Sequence, residues 1–300
     1  MIFTTLIDVA SLNELLGGSA QGGSASGGPA LGGPVLLDCR FDLAKPAAGR
    51  QAYLTAHIPG ARYADLNLDL AAPITADSGR HPLPLPEVLA DRFASFGIGD
   101  DMQVVAYDDA NGSLAARAWW LLRWLGHERV AVLDGGLKAW LASGGAVESG
   151  EPGSEAACAA RFTTRLRAES AVSAADVQRA LRDPDRLLVD ARAPERFAGT
   201  VEPLDPVAGH VPGAVNHPFS GNLAADGRFV RSAELRRRWL ERLAGTAPGD
   251  VILMCGSGVT ACHNLLAMEL AGLQGAKLYP GSWSEWIRDP QRPVARGSEP

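Results

Sequence analysis

The sequence is short of cysteine, of long apolar runs and of any excess of positive charge. Four cysteines, Cys39, Cys158, Cys255 and Cys262, are spread over 300 residues, and no two form a C-x-x-C pair. That spacing excludes a disulfide scaffold. No apolar run approaches the ~18 residues that a membrane helix requires. The first residues, Met1-Ile2-Phe3-Thr4-Thr5-Leu6-Ile7-Asp8, lack the basic stretch that opens a secretory signal. A formal net charge of −6 gives no basic domain for nucleic acid. These shortages together predict a soluble cytoplasmic protein with reduced thiols, with neither a membrane nor a nucleic acid as partner.

What is present is a globular composition, 46% hydrophobic and 21% charged, on a chain long enough for two domains. Glycine is abundant, at 34 residues, but the excess is local. Gly-Gly pairs at 17, 22, 27 and 32 make Gly17–Gly33 read as a flexible insertion. The stretch has no Lys and lacks the G-x-x-x-x-G-K-[ST] spacing of a phosphate loop.

The chain repeats itself with a period near 150 residues. Val35-Leu36-Leu37-Asp38-Cys39-Arg40 returns as Leu187-Leu188-Val189-Asp190-Ala191-Arg192. His57-Ile58-Pro59-Gly60-Ala61 returns as His210-Val211-Pro212-Gly213-Ala214, and the apolar run Val104–Tyr107 as Val251–Met254. Leu133-Asp134-Gly135-Gly136, with Trp140 behind it, returns as Tyr279-Pro280-Gly281-Ser282, with Trp286 behind it. Four matches in one order mean two copies of one fold, 1–150 and 151–300, joined by a Gly- and Pro-containing linker within Ser143–Ala160. Short apolar runs alternate with helical stretches at Ala115–Leu125 and Val259–Leu270, and further strands are expected at Val130–Leu133 and Ala276–Tyr279. That alternation predicts an α/β fold with mainly parallel sheets. Ligands of such sheets bind beyond the carboxyl ends of the strands, which directs attention to the turn after Met254.

That turn reads Cys255-Gly256-Ser257-Gly258-Val259-Thr260 and leads into a helix. Glycines let successive N–H groups point inward, and the start of a helix favours an anion. A cysteine at such a place is suited to act as a thiolate nucleophile and to hold a negatively charged adduct. In the first copy the matching residue is Asp108, so that copy lacks the nucleophile. A cysteine phosphatase would carry Arg six residues after the cysteine; here Ala261 stands there and no Arg occurs in 255–270. Cys255, Cys262 and His263 lack paired zinc-ligand spacing, so no metal is expected. Cys262, Cys39 and Cys158 read as structural or incidental.

These motifs resemble the two-domain rhodanese-like sulfurtransferases over about residues 34–290. The resemblance implies two tandem rhodanese-like domains, each a mainly parallel five-stranded sheet flanked by helices, with only the C-terminal domain catalytic. It implies a ping-pong transfer in which Cys255 takes a sulfane sulfur as a persulfide and passes it to cyanide or a thiol, thioredoxin among them, with no cofactor. The loop amides of Gly256, Gly258, Val259 and Thr260 would hold the persulfide. The loop is similar to that of the 3-mercaptopyruvate type. By that likeness Ser257 contacts the donor, Arg196 pairs with its carboxylate, and His57 assists proton transfer near the cysteine. That type often carries a second arginine after Glu-Pro; here Glu202-Pro203 is followed by Leu204-Asp205, so thiosulfate stays open as the donor. The remaining alternative is a non-catalytic rhodanese-like binding module, against which the intact Cys255 loop speaks. Asp38 with Arg40, and Asp190 with Arg192, recur with and without the nucleophile and read as structural ion pairs. Leu235, Trp239, Leu240 and Leu243 form an apolar helical stripe capped by Ser232, with Arg236–Arg238 on a solvated face. Trp119, Trp120 and Trp124 read as packing.

Overall fold

Four-residue runs of Val, Leu, Ile and Ala are too short for helices, and apolar at nearly every position they suit strands covered on both faces. In the computed structural model, which describes residues 1–20, 33–151 and 160–299, such runs build two sheets. Every strand pairing among the described residues of these sheets is parallel.

One compact unit comprises residues 1–71, 84–167 and 226–228. Its elements are β1 (Leu6–Ile7), α1 (Val9–Ala20), β2 (Val35–Asp38), α2 (Ala47–Thr55), β3 (Arg62–Tyr63), α3 (Pro86–Ser95), β4 (Val104–Tyr107), α4 (Ala115–Trp124), β5 (Val130–Leu133) and α5 (Gly136–Ala142). The strand order is β1-β5-β4-β2-β3, and one core is built on Ile7, Leu36, Val105, Leu133 and Trp140.

The other unit comprises 72–83, 168–225 and 229 onward. It contains α6 (Ala174–Ala180), β6 (Leu187–Asp190), α7 (Pro194–Phe197), β7 (Val215–Asn216), α8 (Ser232–Leu243), β8 (Val251–Met254), α9 (Thr260–Leu270), β9 (Lys277–Leu278) and α10 (Ser282–Trp286). Its order, β7-β6-β8-β9, repeats that of the first sheet. Four strands stand where five are expected. The fifth position is a single parallel bridge, Ala171 to Leu278, with Val172 N–H donating to Leu278 O at 2.8 Å. Asp190 lies opposite Met254, so the Asp190 and Cys255 turns leave the sheet at the same edge.

The two recurring motifs are halves of one lock. Arg192 grips both Asp190 oxygens, Oδ2 through Nη2 at 2.7 Å and Oδ1 through Nε at 3.1 Å, and donates to Gly209 O at 2.8 Å, just before His210. Arg40 grips Asp38 in the same way and donates to Ala56 O, just before His57. The histidines repeat as well. His57 Nδ1 lies 2.8 Å from Tyr53 O with its ring stacked on Tyr53, and His210 Nδ1 lies 2.9 Å from Phe197 O, stacked on Phe197.

Several expectations are revised. The unit changes after Arg167 rather than near 150, because Arg165 and Arg167 donate backbone hydrogen bonds to Leu125 and Trp124 of the first unit. α1 runs through Gly17 to Ala20, so the insertion begins later than expected; its residues 21–32, like Cys158 and linker residues 152–159, lie outside the described residues. Ser232 is the first residue of α8 rather than its cap, and its hydroxyl donates to Leu270 O at 2.5 Å. Leu240 leaves the apolar stripe at 47% exposed, whereas Leu235, Trp239 and Leu243 are buried. Arg236 is not purely solvated, because it donates to Ala271 O at the C-terminus of α9, where a cation is favoured. Trp119, Trp120 and Trp124 are buried, the last two stacked.

Candidate active site

β8 is buried at all four positions and delivers Cys255 to the sheet edge, where it is 2% exposed. The loop that follows is tied to the start of α10. Cys255 N–H donates to Ser282 Oγ at 3.1 Å, Trp283 N–H to Cys255 O at 3.0 Å, and Ser284 N–H to Gly256 O at 3.0 Å. The Gly281-Ser282-Trp283-Ser284 stretch therefore recurs with the cysteine turn because it holds that turn. Gly258 sits at φ +75°, and a Cβ there would lie 2.9 Å from Pro280 Cα, so only glycine fits. The amides of Gly256, Ser257 and Val259 make no hydrogen bond among the described residues.

The first unit shows what this turn does with an anion. Asp108, fully buried, accepts from four backbone amides: Ala110 and Gly112 on Oδ1, Leu114 and Ala115 on Oδ2, all at 2.8–2.9 Å. Burial raises its carboxyl above the ordinary value even against those four donors. The chain thus places a carboxylate in the cradle that the second copy leaves to Cys255 and whatever it carries.

Around the loop lies a buried charge cluster. Arg192 is 3% exposed; burial opposes its charge, but Asp190, Glu202 and the Cys255 sulfur together hold its pKa above the ordinary arginine value. Arg196 pairs with Glu202 through Nη2 at 2.7 Å and Nε at 3.2 Å, and with Asp205 at 3.2 Å. Burial works to raise Glu202, yet Arg196 and the Leu204 amide outweigh it and hold the carboxyl low. Burial pushes Asp205 up, with Arg80 and Arg196 opposing.

Of the residues expected at the site, the second unit brings Cys255, Gly256, Ser257, Gly258, Val259, Thr260 and Arg196 together. His57 belongs to the first unit, fully buried, with its second nitrogen 3.1 Å from Glu148 Oε1. Both ring nitrogens are engaged, and its duplicate His210 repeats the Nδ1 bond and the ring stack but not the Nε2 bond, which supports a framework role for His57 over proton transfer. Two residues escaped the sequence reading. Arg80 pairs with Asp205, and His81 Nδ1 lies 2.8 Å from Ser257 Oγ. They come from residues 72–83, which belong to the second unit although they precede much of the first in the chain. The signal was faint: Gly79-Arg80-His81 returns as Gly227-Arg228-Phe229 ahead of α8, but nothing in that run marks a contact with the Cys255 loop.

A rhodanese-like domain model matches residues 25–143 and 173–289. The chain is 50% identical to a protein named probable 3-mercaptopyruvate sulfurtransferase from Pseudomonas aeruginosa, over 88% of this chain and 92% of that one. It is 42% identical to a putative thiosulfate sulfurtransferase from Mycobacterium tuberculosis, over 88% and 91%. Among solved structures, a 3-mercaptopyruvate sulfurtransferase from Leishmania major superposes with a TM-score of 0.79 at 29% identity, covering 94% of this chain and 74% of that one.

Proposed function

The chain belongs to the rhodanese-like family as a sulfurtransferase, and from that premise we propose that it takes sulfur from 3-mercaptopyruvate and passes it on through a persulfide on Cys255. The observation that carries this reading is the coincidence, at one strand end, of a buried cysteine, open loop amides and the Arg196 guanidinium.

In the first half-reaction the Cys255 thiolate attacks the donor sulfur. The S–S bond forms as the C–S bond breaks, and the bonding pair moves into the enolate of pyruvate. The carbonyl beside the breaking bond makes that leaving group accessible. One proton converts the enolate to pyruvate, and the donor thiol gives up its own as the persulfide ionises, so none is gained or lost overall. Ser257 Oγ, hydrogen-bonded to His81, is placed to give it and to recover one from the imidazole. The persulfide anion left on Cys255 meets the amides of Gly256, Ser257 and Val259 and the helix start at Thr260. In the second half-reaction cyanide attacks the outer sulfur, thiocyanate leaves, and the Cys255 thiolate returns. A thiol acceptor, thioredoxin among them, follows the same path to a persulfide of its own. His57 is assigned to the framework. Among the described residues, no helix is long and apolar enough to cross a membrane. Cys39, Cys255 and Cys262 are not joined in disulfides among the described residues, which suits a reducing, cytoplasmic setting.

The test compares 3-mercaptopyruvate with thiosulfate as donor and cyanide as acceptor, following thiocyanate. A higher kcat/KM for 3-mercaptopyruvate is expected, with Cys255→Ser reduced by at least ~10³-fold. Donor without acceptor should add the mass of one sulfur atom to the protein, removable by a thiol reductant. Faster turnover of thiosulfate overturns the donor assignment. No turnover above Cys255→Ser with either donor overturns the catalytic reading in favour of a binding module.

A further inference from the structure

The peptide between Gly258 and Val259 lies at the entrance to α9, and a buried thiol holds its carbonyl. Cys262 is 0% exposed, and its Sγ donates to Gly258 O at 3.3 Å, one helical turn back. A trans peptide is planar, with its C=O and N–H on opposite sides. Fixing Gly258 O against the first turn of α9 therefore turns Val259 N–H to the other side. That amide makes no hydrogen bond among the described residues. Gly258, at φ +75°, has no side chain to bias the plane of the peptide that follows it, so the bias comes from the thiol.

The first unit shows where an amide at this place points. Leu114 precedes α4 as Val259 precedes α9, with φ and ψ of −97° and −44° against −94° and −65°. Three residues on, Arg117 N–H donates to Leu114 O and Cys262 N–H to Val259 O, each at 3.0 Å. The Leu114 amide donates to Asp108 Oδ2 at 2.8 Å, so the amide that opens the helix is one of those that hold the anion. At the place of Cys262 stands Arg117, whose Nε donates to Leu70 O at 3.4 Å. The difference has a physical reason. Asp108 is tethered in its cradle, and its oxygens order the amides around them. A sulfur on Cys255 gains and loses charge within each turnover, so its amides must be set beforehand.

We propose that Cys262 is a positioning residue of the Cys255 loop: its S–H sets the Gly258–Val259 peptide so that the Val259 amide faces the sulfur on Cys255. The inference rests on Cys255 as the nucleophile. Cys262 touches no substrate and forms no bond in the transfer.

The test compares Cys262→Ser, which keeps a donor for the carbonyl four residues back, with Cys262→Val and Cys262→Ala, which have none. Each is first checked for an unchanged melting profile, and the Val and Ala variants back each other up should one melt early. The Val variant keeps the bulk of the core, so a packing role ranks it above the Ser variant, and the positioning role ranks it below. Iodoacetamide labelling of Cys255 is followed by mass. At about pH 7 its rate should fall about 3–10-fold in the Val and Ala variants and stay within about twofold in the Ser variant, because the unaided thiol is less ionised. At about pH 10 all four proteins should agree within about twofold. Arg192, which carries charge beside the Cys255 sulfur, is the same in all of them. The kcat of sulfur transfer should fall by about the same 3–10-fold without the donor and recover in the Ser variant. Wild-type labelling rates in the Val and Ala variants, a Ser variant as slow as they are, or an equal loss at both pH values overturns the proposal. Labelling needs no sulfur donor, so a chain that labels as expected but turns over neither 3-mercaptopyruvate nor thiosulfate strikes the sulfur-transfer reading and leaves this one standing. A wild-type Cys255 that labels at neither pH overturns the nucleophile and the proposal with it.

Discussion

Ser257 is bound to a histidine that stands 176 positions earlier in the chain. In the proposed mechanism that pairing makes the serine hydroxyl a relay rather than a lone turn residue. Replacing Ser257 by Ala should lower kcat by ~10² while KM changes little, because the lost function is proton delivery. The double variant with His81→Ala should be little worse than either single change, which steady-state kinetics would show; additive losses would separate the two residues. Gly258 makes a different demand. Its φ of +75° and the nearness of Pro280 leave no room for a side chain. Gly258→Ala should cost about 1–3 kcal/mol in urea unfolding and should displace the amides that face the sulfur. The glycine and the cysteine were legible from their spacing alone. His81 was not, because a hydrogen bond across the fold leaves no periodic trace.

At the level of elements, β6 and the turn after it hang on the Asp190–Arg192 pair. Both side chains are buried, so neither charge can be left alone. Arg192→Met should destabilise by about 3–5 kcal/mol, and Asp190→Leu combined with Arg192→Met should recover much of that loss. Chemical denaturation of the three proteins would check it. α8 and α9 share a second polar cluster, in which Asn222 joins His217, His263, Asn264 and Trp239. Burial lowers the His217 pKa from 6.5 to about 4. Between those values the unfolded chain binds a proton that the folded chain refuses, so stability is lost as pH falls through that window. The loss should reach about 2 kcal/mol by pH 5, and His217→Gln should show correspondingly less of it in urea midpoints at pH 7 and 5. Strand cores such as Val104–Tyr107 and Val251–Met254 were readable to the residue, because four consecutive apolar positions allow little else. Helix ends and the cap of α8 were less so: Ser232 satisfies the end of α9 instead of its own helix.

Across the whole molecule, one fold is used twice with opposite contents in its anion cradle. The first unit fills its own with Asp108, so it needs no ligand there. Asp108→Ala would leave four buried amides without an acceptor and should destabilise by ~3 kcal/mol or more, measurable by thermal and urea unfolding. Asp108→Cys in a Cys255→Ser background should restore no sulfur transfer, because Ala110 stands where the second copy has Ser257 and Ala44 where it has Arg196. Appearance of thiocyanate from that variant would show that the cradle and a thiol suffice.

The order of residues alone settled the duplication and the α/β class, and it pointed to Cys255 as the proposed nucleophile and to a first copy with Asp108 in its place. Each rests on local spacing: apolar runs, glycines around a cysteine, and one residue type replaced at a repeated place. Folding settled the rest. Residues 72–83 leave the first unit and join the second, and only there do Arg80 and His81 meet Asp205 and Ser257. The same packing engages both nitrogens of His57, which by its motif promised chemistry, with Tyr53 and Glu148. Charge and hydrogen bonding act through space, so which side chains do the work depends on which ones the packed chain brings within about 3 Å of each other.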